Sequence, residues 1–224
     1  MKKELKKLQN YKTLIFDCDG VLLDSNSIKT NAFFEVCSRF GVKEANALVN
    51  FHKKNGGISR YKKFDYFFRN ILLIEPTDED LKNILVKFSK IIKNRLKHCS
   101  MTPVLKDLRK INSQAKWMIV SGGDQSELRS VFSYRKIHKF FNAGIYGSPR
   151  SKNQIIDKKL KEKKIQRPVL FFGDSEYDFE VSQSYDFDFI FVSDWSEVSH
   201  WKTFCQKNNI PVINRLSKIL EYEY

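Results

Sequence analysis

The chain has 224 residues, 42% hydrophobic with 19 phenylalanines, enough for one core domain plus an inserted module. No apolar run approaches the ~20 residues that span a bilayer, and the four scattered cysteines lack a Cys-x-x-Cys pair, which argues against a disulfide framework or a zinc site. Forty Lys and Arg against 26 Asp and Glu give a formal net charge of +14, so anionic partners have to be weighed.

Residues 1–7 carry the charge of a signal-peptide start, but polar residues follow where its apolar stretch belongs, so a cytoplasmic protein is expected. Short apolar runs at 13–17, 117–121, 144–147, 169–174 and 188–192 predict buried strands, most of them separated by helix-like periodicity. The interval 24–99 is the exception, because it holds no convincing strand. Residues 28–40 have helical spacing and stop at Gly41, 61–73 is an aromatic-rich helix, and Thr77-Asp78-Glu79-Asp80 reads as a helix start before 81–96. The expected fold is α/β: a doubly wound, Rossmann-like parallel sheet from 1–23 and 100–224, with an inserted all-helical unit at 24–99. The last twenty-five residues carry no clear pattern.

The chemistry concentrates at strand ends. Asp17-Cys18-Asp19-Gly20 follows Leu14-Ile15-Phe16, and side-chain alternation puts Asp17 and Asp19 on one side. By itself this tetrapeptide fits a strand end and an Asp-Gly turn equally well. Three later segments add to it: Trp117–Val120 running into Ser121-Gly122-Gly123; Lys152 after Gly147-Ser148-Pro149; and Val169–Phe172 running into Gly173-Asp174-Ser175-Glu176-Tyr177-Asp178. Parallel sheets bind ligands beyond the carboxyl ends of their strands, so these groups are expected to meet.

The ordered set resembles the four motifs of the haloacid dehalogenase-like hydrolase superfamily, over residues 13–195. Asp17-x-Asp19-Gly20-Val21 looks like the first motif, Ser121 the second, Lys152 the third and Gly173-Asp174-Ser175-x-x-Asp178 the fourth. Gly56–Tyr61 and Gly147–Lys152 also look like a branch associated with surface-polysaccharide genes. The resemblance implies that Asp17 is a nucleophile forming an aspartyl-phosphate and that Asp19 is the general acid and base. It implies Mg²⁺ held by Asp17, the Asp19 carbonyl and Asp174, with Asp178 as ligand or support. Ser121, the Gly122 amide and Lys152 would hold the phosphoryl oxygens. The acid at Asp19 goes with phosphatases and phosphomutases of the family, and a phosphatase is expected, with a phosphomutase as the alternative. Residues 24–99 match the family's helical cap.

Within that cap, Gly56-Gly57-Ile58-Ser59-Arg60 is a candidate substrate-reading element, with Lys63 and His52 as further candidates. A solvated arginine on a plain helix cap is the competing reading, and Phe64, Tyr66, Phe67 and Phe68 read as cap core. The expected partner is a small phosphorylated metabolite, a sugar phosphate or a small phospho-alcohol or amine. The net charge keeps a rival in view, a nucleic-acid-binding protein or a polynucleotide-end phosphatase. Against it, the lysines are dispersed and no binding motif accompanies them. The sequence leaves the oligomeric state open.

Overall fold

In the computed structural model, which describes residues 5–221, the run Thr13–Phe16 forms β1 and is buried at all four positions. The start of the basic run, residues 1–4, lies outside the described residues, as do 222–224. β4 (Val169–Gly173) and β5 (Asp188–Val192) are likewise buried throughout, as expected of parallel strands covered on both faces. With β2 (Lys116–Asp124), β3 (Gly144–Ser148) and β6 (Val212–Ile213) they form one six-stranded parallel sheet in the order β3-β2-β1-β4-β5-β6.

Strand alternation sorts the apolar residues into two layers. Leu14, Phe16, Trp117, Ile119, Leu170 and Phe172 fill one face, covered by α5 (Leu105–Ile111) and α6 (Gln125–Tyr134). Ile15, Met118, Val120, Phe171, Phe189 and Phe191 fill the other, covered by α7 (Lys152–Lys161), α8 (Glu176–Ser184) and α9 (Trp201–Lys207). Each fully buried side chain of this size contributes about 1.5–3 kcal/mol through the water it no longer orders.

The chain between β1 and β2 is helical. Before α5 it contains α1 (Asn26–Cys37), α2 (Val42–Lys54), α3 (Arg60–Tyr66) and α4 (Asp78–His98), and no named strand among the described residues. α1 tightens into a 3-10 turn at Ser38–Phe40 and stops at Gly41, whose φ is +131°. α4 starts in a capping box in which the Asp80 amide donates to Thr77 Oγ1 and the Thr77 amide to Asp80 Oδ2, each at 3.1 Å. Phe33, Phe64 and Phe88 pack around one another with ring centroids 4.5–5.5 Å apart. Phe67 and Phe68 are also buried, and Tyr66 stacks on Phe51 at 3.7 Å, so the aromatic segment is packing. These rings belong to the same apolar cluster as the first face of the sheet.

The structure differs from the sequence reading in three places. β2 continues through Ser121-Gly122-Gly123 to Asp124, with a register shift against β3 after Val120. Ser148 Oγ donates to the Gly122 carbonyl at 2.6 Å and the Gly123 carbonyl at 3.1 Å, which holds the irregular stretch against the sheet. α2 was not separately visible in sequence. α9 and β6 come from the patternless C-terminal stretch, since a two-residue strand has no periodicity to read.

Candidate active site

β1 sits between β2 and β4, the point where the strand order reverses. A crevice opens beyond the carboxyl ends at such a point. Asp17 leaves β1 there, its amide donating to the Phe172 carbonyl at 2.9 Å, and Asp174 leaves β4 beside it. Helix caps deliver the other groups. Ser175 caps α8, accepting from the Asp178 amide at 3.2 Å while its hydroxyl donates to Asp178 Oδ2 at 2.6 Å. Ser151 caps α7 in a capping box with Gln154, which makes Lys152 the first helical residue.

Carboxylate oxygens of Asp17, Asp174 and Asp178 all lie within 4.8 Å of one another, and all three residues are buried. Lys152 Nζ is 3.1 Å from Asp17 Oδ1 and pairs with Asp178 Oδ1. Asp17 Oδ1 is buried, with the Lys152 ammonium beside it. Burial pushes the Asp17 carboxyl up to about 7; Lys152 pulls it back, while Asp178 and Asp19 push it further. Burial, then Asp17 and Asp178, raise Asp174 well above the usual carboxylate range. Three crowded buried acids sharing one ammonium suit a small hard cation with oxygen ligands, so the donor set fits Mg²⁺.

Asp19 has a different environment. Ser25 Oγ donates to its Oδ1 at 2.5 Å, and Lys29 pairs with its Oδ2. Burial alone would raise Asp19, but the Lys29 ammonium and the hydrogen bonds from Lys29 and Ser25 outweigh it and hold it low. Gly20, at φ +75°, makes the turn directly after Asp19. A Cβ there would stand 2.0 Å from Asp174 Oδ2, so only glycine fits. Asn26 Nδ2 donates to Asp174 Oδ2 and to the Trp195 carbonyl, both at 2.7 Å.

The helices close over this crevice. A Cβ on Gly122 would meet the Gly57 carbonyl at 2.1 Å, so the Gly56-Gly57 loop rests directly on the end of β2. Between them is a cavity of about 60 Å³, against the ~10–15 Å³ that one water needs. Asp17, Asp19, Asp174 and Gly122 line it from below; Lys29, Phe33, His52, Arg60, Lys63 and Phe88 line it from the helices. Ser121, Lys152 and Asp178 are buried beside the cavity, and Ser121 Oγ accepts from the Gly123 amide at 3.0 Å. Arg60 reaches the cavity, but its fork is engaged: Nη2 donates to Glu127 Oε1 at 2.6 Å and Nη1 to Glu127 Oε2 at 3.2 Å. Lys63 Nζ lies 2.6 Å from His52 Nδ1.

The sequence reading did not include Ser25, Asn26, Lys29, Glu127 or Glu197, the last of which lines the cavity 3.9 Å from His52 Nε2. Asn26 and Lys29 sit one turn apart at the start of α1, and an earlier helix start placed directly after Asp24 was the signal that would have found them.

The family model for the haloacid dehalogenase-like hydrolases matches residues 14–192, well over half of the chain. The chain belongs to that family. Solved structures share its fold. A predicted phosphoglycolate phosphatase from Haemophilus somnus superposes with a TM-score of 0.72 at 14% identity, covering 94% of this chain and 97% of that one. A predicted phosphatase from Clostridium acetobutylicum gives 0.71 at 16% identity, covering 95% and 99%. A haloacid dehalogenase-like family hydrolase from Streptococcus pneumoniae gives 0.63 at 18% identity, covering 96% and 99%. No match was found among curated proteins. Among the described residues of this family hydrolase, no helix is long and apolar enough to cross a membrane.

Proposed function

We propose that this hydrolase is a Mg²⁺-dependent phosphatase acting on a small phosphorylated metabolite through a covalent Asp17 intermediate. One observation carries the reading: three buried carboxylates converge beside the Lys152 ammonium, which lies 3.1 Å from Asp17 Oδ1. Asp17 attacks phosphorus; its O–P bond forms as the ester P–O bond breaks, and the leaving alkoxide takes a proton. The transferable proton is assigned to the Asp19–Lys29 pair. In the second step Asp19, ionised beside Lys29, takes a proton from the water that attacks phosphorus, releasing phosphate and free Asp17.

Lys152 orients Asp17 and Asp178 and offsets charge at the phosphoryl oxygens, while Ser121 and the Gly122 amide are the assigned neutral donors. Asp17, Asp174, Asp178 and the Asp19 carbonyl would hold Mg²⁺, which when bound neutralises the repulsion between the nucleophile and a dianionic phosphate. Residues 24–99 act as a cap on the core formed by 1–23 and 100–224, shutting water away from the reactive ester. The size of the cavity between the helices and the sheet supports a small substrate over a polynucleotide end.

The test is phosphate release from a panel of sugar, polyol, amino-alcohol, carboxylate and nucleoside monophosphates, with and without Mg²⁺. Release that requires Mg²⁺ and is lost in Asp17→Asn supports the reading; none from any ester refutes it. Conversion of a sugar phosphate into its isomer, with no phosphate freed, would identify a phosphomutase instead.

A further inference from the structure

Each of the three converging carboxylates is held by a neighbour. Lys152 lies against Asp17 and Asp178, and the Ser175 hydroxyl donates to Asp178 Oδ2 at 2.6 Å. These holders belong to the sheet domain. Asp174 is held from outside it. Among the described residues its carboxylate receives one side-chain hydrogen bond, from Asn26 Nδ2 to Oδ2 at 2.7 Å, and Asn26 is the first residue of α1. The second proton of the same amide goes to the Trp195 carbonyl, also at 2.7 Å. Both neighbours are acceptors, so the amide can turn only its NH2 group toward them, and chemistry decides its orientation.

The surroundings confine this bonded pair. A Cβ on Gly20 would fall 2.0 Å from Asp174 Oδ2 and 2.6 Å from Asn26 Nδ2, so the backbone after Asp19 packs directly against it. Ser196 Oγ donates to the Asp174 carbonyl at 2.6 Å. The segment after β5 therefore ties Asp174 twice, at its main chain through Ser196 and at its carboxylate through Asn26 and the Trp195 carbonyl. Pinned at Oδ2, the carboxylate cannot turn away from the cluster it forms with Asp17 and Asp178. A neutral amide is the suitable donor for this task. It opposes the mutual repulsion of the acids without adding a second cation that would compete with a metal ion.

We propose that Asn26 is the positioning residue for Asp174, so that Mg²⁺ affinity depends on the seating of α1 against the sheet. The inference rests on the Mg²⁺ reading of the three acids and adds to it a residue of the inserted helices. The same end of α1 holds Asp19, through the Ser25 hydroxyl and the Lys29 ammonium. One helix start thus fixes both a ligand of the metal and the group assigned to proton transfer, and both are in place only while α1 is seated.

The test is a Mg²⁺ titration of the melting temperature of the full chain, which gives the Mg²⁺ dissociation constant with no substrate present. Asn26→Leu removes both donors at similar volume and is expected to weaken Mg²⁺ binding by about tenfold or more, the usual effect of losing a group that orients a metal ligand. Asn26→Ala gives a second reading of the same constant should Asn26→Leu fail to fold. Thr30→Val is the control. It breaks the Thr30 bonds to Glu197, at 2.9 and 2.7 Å, which join the same helix to the same segment after β5 without touching Asp174. Its Mg²⁺ constant is expected to stay within about twofold of the parent's. Unchanged Mg²⁺ binding in the Asn26 variants would overturn the proposal. Equal weakening in Thr30→Val would overturn it too, since the loss would then come from a general loosening of α1. A parent whose melting temperature ignores Mg²⁺ would sink the metal reading itself and the proposal with it, an outcome distinct from a parent that responds and Asn26 variants that respond equally.

Discussion

Arg60, at the start of α3, is joined to Glu127 in the first turn of α6 by two hydrogen bonds of 2.6 and 3.2 Å, 67 residues apart in sequence. Both side chains are almost wholly enclosed, and the guanidinium lies 4.8 Å above the Phe88 ring. The pair therefore ties the inserted helices to the sheet domain. Removing one partner of a buried pair leaves the other as an uncompensated charge, at a cost of about 3–5 kcal/mol. Glu127→Leu and Arg60→Met should each lower the unfolding free energy, measured by denaturant titration, by that order, and the double variant should recover most of the loss. Additive losses in the double variant would show that the two residues act separately.

Asp17→Asn should abolish phosphate release while leaving the fold intact. It also removes one of three crowded acids, so the metal-free variant should melt above the metal-free parent at pH 8. Thermal unfolding with chelator present measures this. A variant that melts below its parent would contradict the repulsion argued for the site.

The Asp17 carboxyl rises from 3.8 to about 7 on folding. Between those values the metal-free folded state holds a proton that the unfolded chain has released. Stability without metal should therefore fall as pH rises from about 4 to about 7 and level off above. Mg²⁺ must displace that proton, so its apparent affinity should drop by about tenfold per pH unit below 7. The Mg²⁺-induced rise in melting temperature should be larger at pH 8 than at pH 5.5. A rise independent of pH would exclude Asp17 as the titrating ligand.

Lys29 outweighs burial to keep Asp19 ionised. Lys29→Met should raise the Asp19 pKa and move the alkaline limb of the kcat profile to higher pH, if that limb reports proton donation to the leaving group. The profile measured on a fast-leaving aryl phosphate, which needs little protonation, should shift less. Identical shifts on both substrates would place the transferable proton elsewhere.

Much of the frame was legible in the residues. Fully apolar runs ending in acids marked β1 and β4 as buried parallel strands, because only a strand covered on both faces leaves no polar alternate positions. Thr77 and Asp80 declared the start of α4 through local capping, which depends on neighbours three residues apart. Asp17, Asp174 and Asp178 meet within 4.8 Å because β1 and β4 are adjacent and parallel, a strand order the sequence left open. The irregular end of β2 was not legible, since its path is held by Ser148 from a different strand.

The partners of the charged side chains were decided by the tertiary structure alone. Glu127 in sequence looks like any acid on a solvated helix face and Lys29 like one of many surface lysines, while Lys63 reads as a candidate substrate contact with no named neighbour. Only the closing of α1 to α4 over the sheet removes these groups from water, and the strength of a charge interaction depends on that removal. Local pattern thus determined which elements form and where the acids emerge; the tertiary structure determined that Arg60 is matched by Glu127 and Lys29 by Asp19, because only the packed helices take these charges out of water.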